Sequence, residues 1–401
     1  MNRGLNQHVA DELGMVGYAL FDLASALNHF TEKSRISSMN KTPYIDFLNE
    51  LRMNRTAPST KRTRRKNVIF VQLESIDAVC LRNTFNGKEI TPFLNSLIPR
   101  SHYFLNTLDH SGAGRTVDGE LMALTSLLPL PSDPVYIRYD LQRTPSLPKT
   151  LKKEGYYSIS IHGFSDAYWN RGNAHDALGF DKSLFIDKLE DTEQIGWGIS
   201  DSSLLKQVVE IYKNETHPVF IHSILLTNHH PYGYVSDRFS LPTNNIYEDY
   251  IESVGYVDQC VENFFESLKE EDLLKDTIVA IYSDHDSSIT QELVDFLDPE
   301  HRPVYLDSIP FLIYGLDAPP EIHEGLAGLQ DLPVIILNDL RISIPHTFTG
   351  QSLGAVEQTI SPAVGKVSLQ NGTLKVEPVA IDLNDLTRAS ILDPQSLQKP
   401  L

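Results

Sequence analysis

Four short apolar-rich runs constrain this chain more than any other feature. They are Val68 to Leu73, Tyr156 to Ile161, Pro218 to Leu226 and Thr277 to Tyr282. The first is nearly continuous, as expected of a strand buried on both faces of a parallel sheet rather than one with a wet face. Helical patterns lie between the runs. One follows Thr91-Pro92, one follows the capping pair Ser200-Asp201, and a longer one carries Tyr250, Val254, Val257, Val261, Phe264 and Leu268. Strands alternating with helices predict an α/β fold: a mostly parallel central sheet with helices on both faces. An extended piece near Phe104, a strand over 310–314 and a covering helix over 332–340 complete that layer.

The flanks read differently. Leu5, Val9, Leu13, Val16 and Leu20 recur at helical spacing, and a second helical piece runs from Tyr44 to Leu51. The basic stretch Ser59 to Lys66 reads as a solvated linker, with contact to an anionic membrane surface as the alternative. Lys366 to Gln370 and Thr373 to Val376 flank Asn371-Gly372, a hairpin signal. The expected division is therefore 1–65, an N-terminal helical segment and basic linker; 66–354, the catalytic domain; and 355–401, a small β appendage whose last dozen residues form a loose tail. A net charge of −19 over 401 residues argues against a nucleic-acid partner. It also means that an anionic substrate must be met locally, by a metal or a few Arg and His side chains. Two cysteines allow neither a disulfide framework nor a Cys-based zinc site. No run of about 20 apolar residues is present to span a bilayer. Met1 to Leu5 shows no signal-peptide character, which reads as a cytosolic chain or an excised soluble portion.

Chemistry gathers where the strands end. Glu74, His162, His229 and the pair Asp284-His285 each follow or close a predicted strand, and carboxyl ends of strands form the ligand crevice of open α/β sheets. The loop Ser111-Gly112-Ala113-Gly114-Arg115 then brings Thr116 to the expected start of a helix, where N–H groups and the helix dipole favour a phosphate or an oxyanion. Taken alone, that stretch reads first as an ordinary N-capped helix after a turn, and only its company elsewhere in the chain favours chemistry. Glu74, Asp284, His285 and the Thr116 hydroxyl offer three oxygens and one nitrogen, a set that suits a divalent manganese, magnesium or zinc ion. Beside such an ion a threonine hydroxyl becomes a nucleophile toward phosphorus. His162 and His229 are placed to hold non-bridging oxygens or to protonate a leaving oxygen, and Arg171 offers a guanidinium fork. Trp169 reads either as a platform for an apolar part of the substrate or as a core aromatic.

These stretches resemble a known family. Asn67 to Ser75, Asn86 to Asn95, Gly112 to Glu120, His162-Gly163 with Trp169-Asn170-Arg171, Leu226 to His229 and Asp284-His285 are similar, in order and spacing, to the extracytoplasmic domain of lipoteichoic acid synthases. Those synthases belong with the phosphoglycerol transferases to the sulfatase and alkaline phosphatase superfamily. The resemblance implies that Thr116 is the nucleophile. It also implies that Glu74, Thr116, Asp284 and His285 hold one manganese-like ion, magnesium or zinc being the alternatives, and that His162, Trp169, Arg171 and His229 surround a glycerophosphate group. Arg115 stands where the family usually has Lys and joins the substrate-binding set. Phe164 replaces an acidic residue, and Asp286-Ser287 replace Tyr-Gly. The implied donor is an anionic glycerophospholipid such as phosphatidylglycerol, and the implied acceptor is a polyglycerolphosphate or glycan. The implied setting is an extracytoplasmic membrane surface, with the native protein anchored there. A phosphodiesterase or phosphatase with the same site, and a catalytically silent binding domain, are the rival readings.

Overall fold

In the computed structural model the described residues are 23, 27–28, 30–53, 55, and 65–398 apart from 191–192, 242, 244, 354–357, 363–364 and 371–372. The expected helix over 5–20, most of the basic linker and the Asn371-Gly372 turn lie outside them.

Eight strands form the central sheet: β1 (Asn67–Leu73), β2 (Ser101–Thr107), β3 (Tyr157–His162), β4 (Lys182–Leu184), β5 (Val219–Ile224), β6 (Thr277–Ser283), β7 (Phe311–Tyr314) and β8 (Ile322–Ala327). Their order is β8-β2-β7-β6-β1-β5-β3-β4. All pairings are parallel except those of β7, which runs opposite to β6 and β2. The apolar run of β1 is buried on both sides as its composition requires. Val68 and Phe70 join one core with Phe220, Ala280, Leu121 and Ile335, while Ile69 and Val71 join a second core with Ile221, Ile281, Val257 and Phe264. Helices cover both faces, including α1 (Thr116–Thr125), α2 (Arg171–Leu178), α3 (Asp201–Lys213), α4 (Ile246–Glu270) and α5 (Leu332–Asp339).

The chain's two flanks come together. The helix Thr42–Met53 and residues around Ile36 share a third core with Leu128, Ile360, Leu383, Leu386 and Leu397. Arg35 clamps Asp385 with two hydrogen bonds of 2.7 and 2.6 Å, and Arg388 pairs with Glu32 at 2.9 Å. The expectation of a loose C-terminal tail is therefore corrected. Leu383–Leu392 is a helix, capped by Asp382, and a 3-10 turn over Pro394–Leu397 follows it. Its apolar face was masked in sequence by Asn384, Asp385 and Arg388. The small antiparallel sheet Gln358–Ser361, Gly365–Gln370 and Thr373–Glu377 is present.

Candidate active site

The four strands β6, β1, β5 and β3 are adjacent and parallel, so their carboxyl ends open on one side. Asp284-His285, Glu74, Asn228-His229 and His162 follow or close them in that order. The sequence placed these residues at strand ends; the sheet order makes them neighbours.

Glu74, Asp284 and His285 are buried, with one potential ligand atom from each within 4.8 Å of the others. Ser75 braces the group: its N–H donates to Asp284 Oδ1 (3.0 Å) and its hydroxyl to Glu74 Oε1 (3.0 Å). Asn228 Nδ2 donates to the carbonyls of Glu74 (3.0 Å) and Ser75 (3.2 Å), tying β5 to β1. His285 Nδ1 lies 2.6 Å from the carbonyl of Asp286, 3.0 Å from Arg115 Nη2 and 3.2 Å from the Ser75 hydroxyl. Nε2 faces Glu74 Oε1 (3.5 Å) and Asp284 Oδ2 (3.7 Å). Asp284 Oδ2 is buried with no hydrogen-bond partner among the described residues. Burial, then the Asp284 charge, pushes Glu74 up to about 8. Burial disfavours the charged form of His285, yet the Asp284 and Glu74 carboxylates together hold it above its ordinary value. Two carboxylates and an imidazole drawn together in the interior form a donor set that fits a divalent metal ion.

Thr116 is the first residue of α1 and is 7% exposed. Its two sides are fixed against the acidic group. Arg115, just before it, donates from Nη2 to the Asp286 carbonyl (2.7 Å) and to Asp286 Oδ1 (2.8 Å), in contact with the His285 ring. Gly119, one turn on, lies so close to Asp284 that an added Cβ would stand 2.7 Å from its carbonyl oxygen and 2.9 Å from its Cα. Asp118 Oδ2 accepts the N–H groups of Gly112 and Gly114 (2.9 Å each) and so holds the loop closed over the helix start. Arg115, expected to bind substrate, is occupied by Asp286 and by Asp109 (3.5 Å).

Arg171, at the start of α2, is 1% exposed. Its Nε and Nη2 both bond Glu120 Oε1 (2.9 and 2.8 Å), and Glu120 Oε2 accepts from His175 (2.9 Å). Arg171 Nη1 is buried and has no hydrogen-bond partner among the described residues. The Arg171 charge is felt at both Glu74 and His162, which puts these groups in one electrostatic neighbourhood. His162 donates from Nδ1 to the Ile224 carbonyl (3.0 Å), leaving Nε2 with a lone pair; burial and then Arg171 push its pKa down to about 3. His229, half-buried, donates from Nδ1 to the His230 carbonyl (2.9 Å), and burial lowers it. Trp169 is partly buried against the core yet touches exposed Tyr168 (ring centroids 5.7 Å). Trp197 lies over His229 at 4.3 Å. Ser75, Arg115, Trp169 and Asn170 all hold positive φ (52°, 43°, 56° and 59°), unfavourable for residues with a Cβ.

The model of the family described as Sulfatase matches residues 66–338, well over half of the chain. The chain belongs to the sulfatase family. Within it, Thr116 occupies the helix start, and both cysteines, Cys80 and Cys260, are buried elsewhere. The sulfatase-family chain is 29% identical over 349 residues to lipoteichoic acid synthase 2 of Bacillus subtilis (strain 168), covering 82% of this chain and 53% of that protein. It is 27% identical over 291 residues to lipoteichoic acid synthase of Staphylococcus aureus (strain USA300), covering 70% and 45%. It thus spans about half the length of these relatives. Among solved structures, the lipoteichoic acid synthase LtaP from Listeria monocytogenes superposes with a TM-score of 0.69 at 22% identity, covering 89% of this chain and 99% of that one. The Streptococcus pyogenes phosphoglycerol transferase GacH, in complex with sn-glycerol-1-phosphate, gives 0.61 at 17% identity, covering 89% and 92%. Those superpositions show a common fold, the alkaline-phosphatase-like α/β architecture expected from the sequence.

Sequence reading of this sulfatase-family site passed over Ser75, Asn228, Glu120 and His175 as working residues. Ser75 and Asn228 stand directly beside assigned residues, and their bracing role is visible only once the strand order is known. Glu120 carries a usable signal, four residues after Thr116 on one helix face.

Proposed function

We propose that this chain is the extracytoplasmic catalytic part of a metal-dependent phosphoglycerol transferase. It takes glycerophosphate from a phosphatidylglycerol-like lipid and passes it to a polyglycerolphosphate or glycan hydroxyl at the outer face of a bacterial cytoplasmic membrane, where the native protein is anchored. No helix among the described residues is long and apolar enough to cross a membrane. The observation that carries the reading is the placement of Thr116 on a helix turn locked to Asp284 through Gly119 and to His285 and Asp286 through Arg115. The likeness to lipoteichoic acid synthases, and to a phosphoglycerol transferase described with sn-glycerol-1-phosphate, supports glycerophosphate as the group moved.

Glu74, Asp284, His285 and Thr116 would hold one divalent ion, manganese first among the candidates. When bound, it supplies the positive charge that makes a hydroxyl beside it acidic. Thr116 Oγ1 loses its proton to solvent and bonds to phosphorus, and the bond from phosphorus to the diacylglycerol oxygen breaks. His229, neutral at rest and the more open of the two histidines, relays a proton from solvent through Nε2 to that oxygen. Arg171 Nη1, with no partner in the protein, takes a non-bridging oxygen. Trp169 packs on the glycerol. His162, kept neutral, orients a glycerol hydroxyl by accepting at Nε2. In the second half, His229 Nε2 takes the acceptor's proton, the acceptor oxygen bonds to phosphorus, and Thr116 leaves and regains a proton.

The test is diacylglycerol release from phosphatidylglycerol vesicles with and without manganese and a glycerol-terminated acceptor. Release that requires metal and Thr116, and rises with acceptor, supports the transferase. Release indifferent to acceptor, with free glycerophosphate as product, moves the site to the hydrolase reading. No release with metal bound overturns this donor.

A further inference from the structure

A second group of metal-ligating side chains lies far from this centre. His102 is the second residue of β2 and His323 the second of β8, so both sit at the amino ends of the outermost parallel pair. The active site occupies the carboxyl ends of the four central strands. His102 Nδ1 and His323 Nε2 face each other at 3.0 Å, and one ligand atom from each histidine and from Glu321 lies within 4.8 Å of the others.

The tautomer of His102 is fixed. Its Nε2 lies 3.2 Å from the Ala318 carbonyl, which can only accept, so Nε2 carries the proton and Nδ1 a lone pair. Metal-binding histidines are commonly oriented by such a bond from the remote nitrogen to a backbone carbonyl. His323 is held as firmly: its ring stacks on Phe104 at 4.7 Å and on His102 at 5.3 Å. The backbone carbonyl of Glu321 accepts from Tyr103 N at 2.9 Å, so the exposed carboxylate starts from a fixed point beside the pair. Burial, with His102 opposite, lowers His323, which keeps its imidazole neutral and able to ligate. Without metal, one proton on His323 Nε2 bridges the nitrogens. With that proton moved to His323 Nδ1, both nitrogens present lone pairs, and an ion about 2.0–2.1 Å from each would sit to one side of the line that joins them.

We propose that His102, His323 and Glu321 form a second divalent transition-metal site, of zinc class, that staples the edge strand β8 to β2. Two imidazoles and one carboxylate select zinc, nickel or copper over magnesium and calcium. The site does not depend on the proposed reaction, since none of its residues is in the active centre.

Zinc bound per chain, counted by native mass spectrometry after dialysis, tests the proposal on the full chain. The parent protein should carry one more equivalent than His323→Asn, whatever the active centre retains. Cobalt in place of zinc should give the parent a visible absorption band beyond any that His323→Asn shows. Should His323→Asn fail to fold by circular dichroism, Glu321→Gln, altered at an exposed position, should weaken binding of the extra equivalent by about 10–100-fold. Equal zinc counts in parent and His323→Asn, or unchanged affinity in Glu321→Gln, would overturn the assignment.

Discussion

Arg171 shows how one residue's environment decides its use. A guanidinium 1% exposed must be paired, and Glu120 pairs it through Nε and Nη2 while His175 takes the second carboxylate oxygen. That leaves Nη1 alone to meet an anion. Arg171→Lys retains a charge but cannot serve Glu120 and a phosphate together, so kcat/KM should fall about 100-fold, about 2.7 kcal/mol, in the diacylglycerol assay. Glu120→Ala leaves that cation unpaired in the interior and should cost about 3–5 kcal/mol in urea unfolding. A loss under about 1 kcal/mol would mean the pair is not what holds Arg171. Legibility at this scale was uneven. The sequence offers Arg171 as a guanidinium fork for a phosphate but shows no partner for it, and it assigns no task to Asp118 or Glu120. In the fold Asp118 closes the loop on Gly112 and Gly114, and Glu120 is buried under Arg171. Helical spacing gives the face a residue lies on, not what another element brings to that face.

Among the elements, α1 depends on how closely its first turn meets β6. Gly119 is tolerated in a helix, despite its cost, because any side chain would strike the Asp284 backbone. Gly119→Ala should therefore push Asp284 and Thr116 apart, weakening metal affinity and turnover together, with about 1–3 kcal/mol lost in thermal unfolding. Metal affinity unchanged in that variant would refute the contact as the device that sets the site. The start of α3 makes a different prediction. Asp201 Oδ1 accepts from Leu226 N (2.9 Å) and Thr227 N (3.1 Å), whereas Oδ2 is buried without a hydrogen-bond partner among the described residues. Burial pushes this carboxyl from 3.8 up to about 6. The folded state then holds a proton that the unfolded chain releases. Stability from this group is complete below pH 3.8 and is lost as the pH rises through about 6, a change of about 3 kcal/mol. Asp201→Asn keeps the Oδ1 acceptor and should flatten that part of the stability–pH curve; a curve parallel to the parent's would contradict the raised value.

At the scale of the molecule, the central sheet was legible because strands buried on both faces announce themselves as apolar runs. Its edges were not. Lys182–Leu184 is three residues long, and Ile322–Ala327 begins with exposed and half-buried residues, so neither rises above its surroundings. Nor does composition give direction: the strand at Phe311–Tyr314 was expected, but its antiparallel run follows from connections no local pattern encodes. The joining of Ile36 and Phe47 to Leu386 and Leu397 is likewise a long-range fact, and it makes the first and last described helices one unit. The four strands that end near Glu74, His162, His229 and Asp284-His285 are adjacent and parallel, a neighbourhood set by strand order and not by any local pattern. The central claim is that this sheet presents Thr116 as a phosphorus nucleophile. Intact-protein mass after incubation with phosphatidylglycerol and manganese, without acceptor, tests it most directly. A glycerophosphate adduct should appear, map to Thr116, and be absent from Thr116→Ala and from the metal-free sample. Diacylglycerol release by Thr116→Ala at the parent's rate, or an adduct on any other residue, would contradict the account.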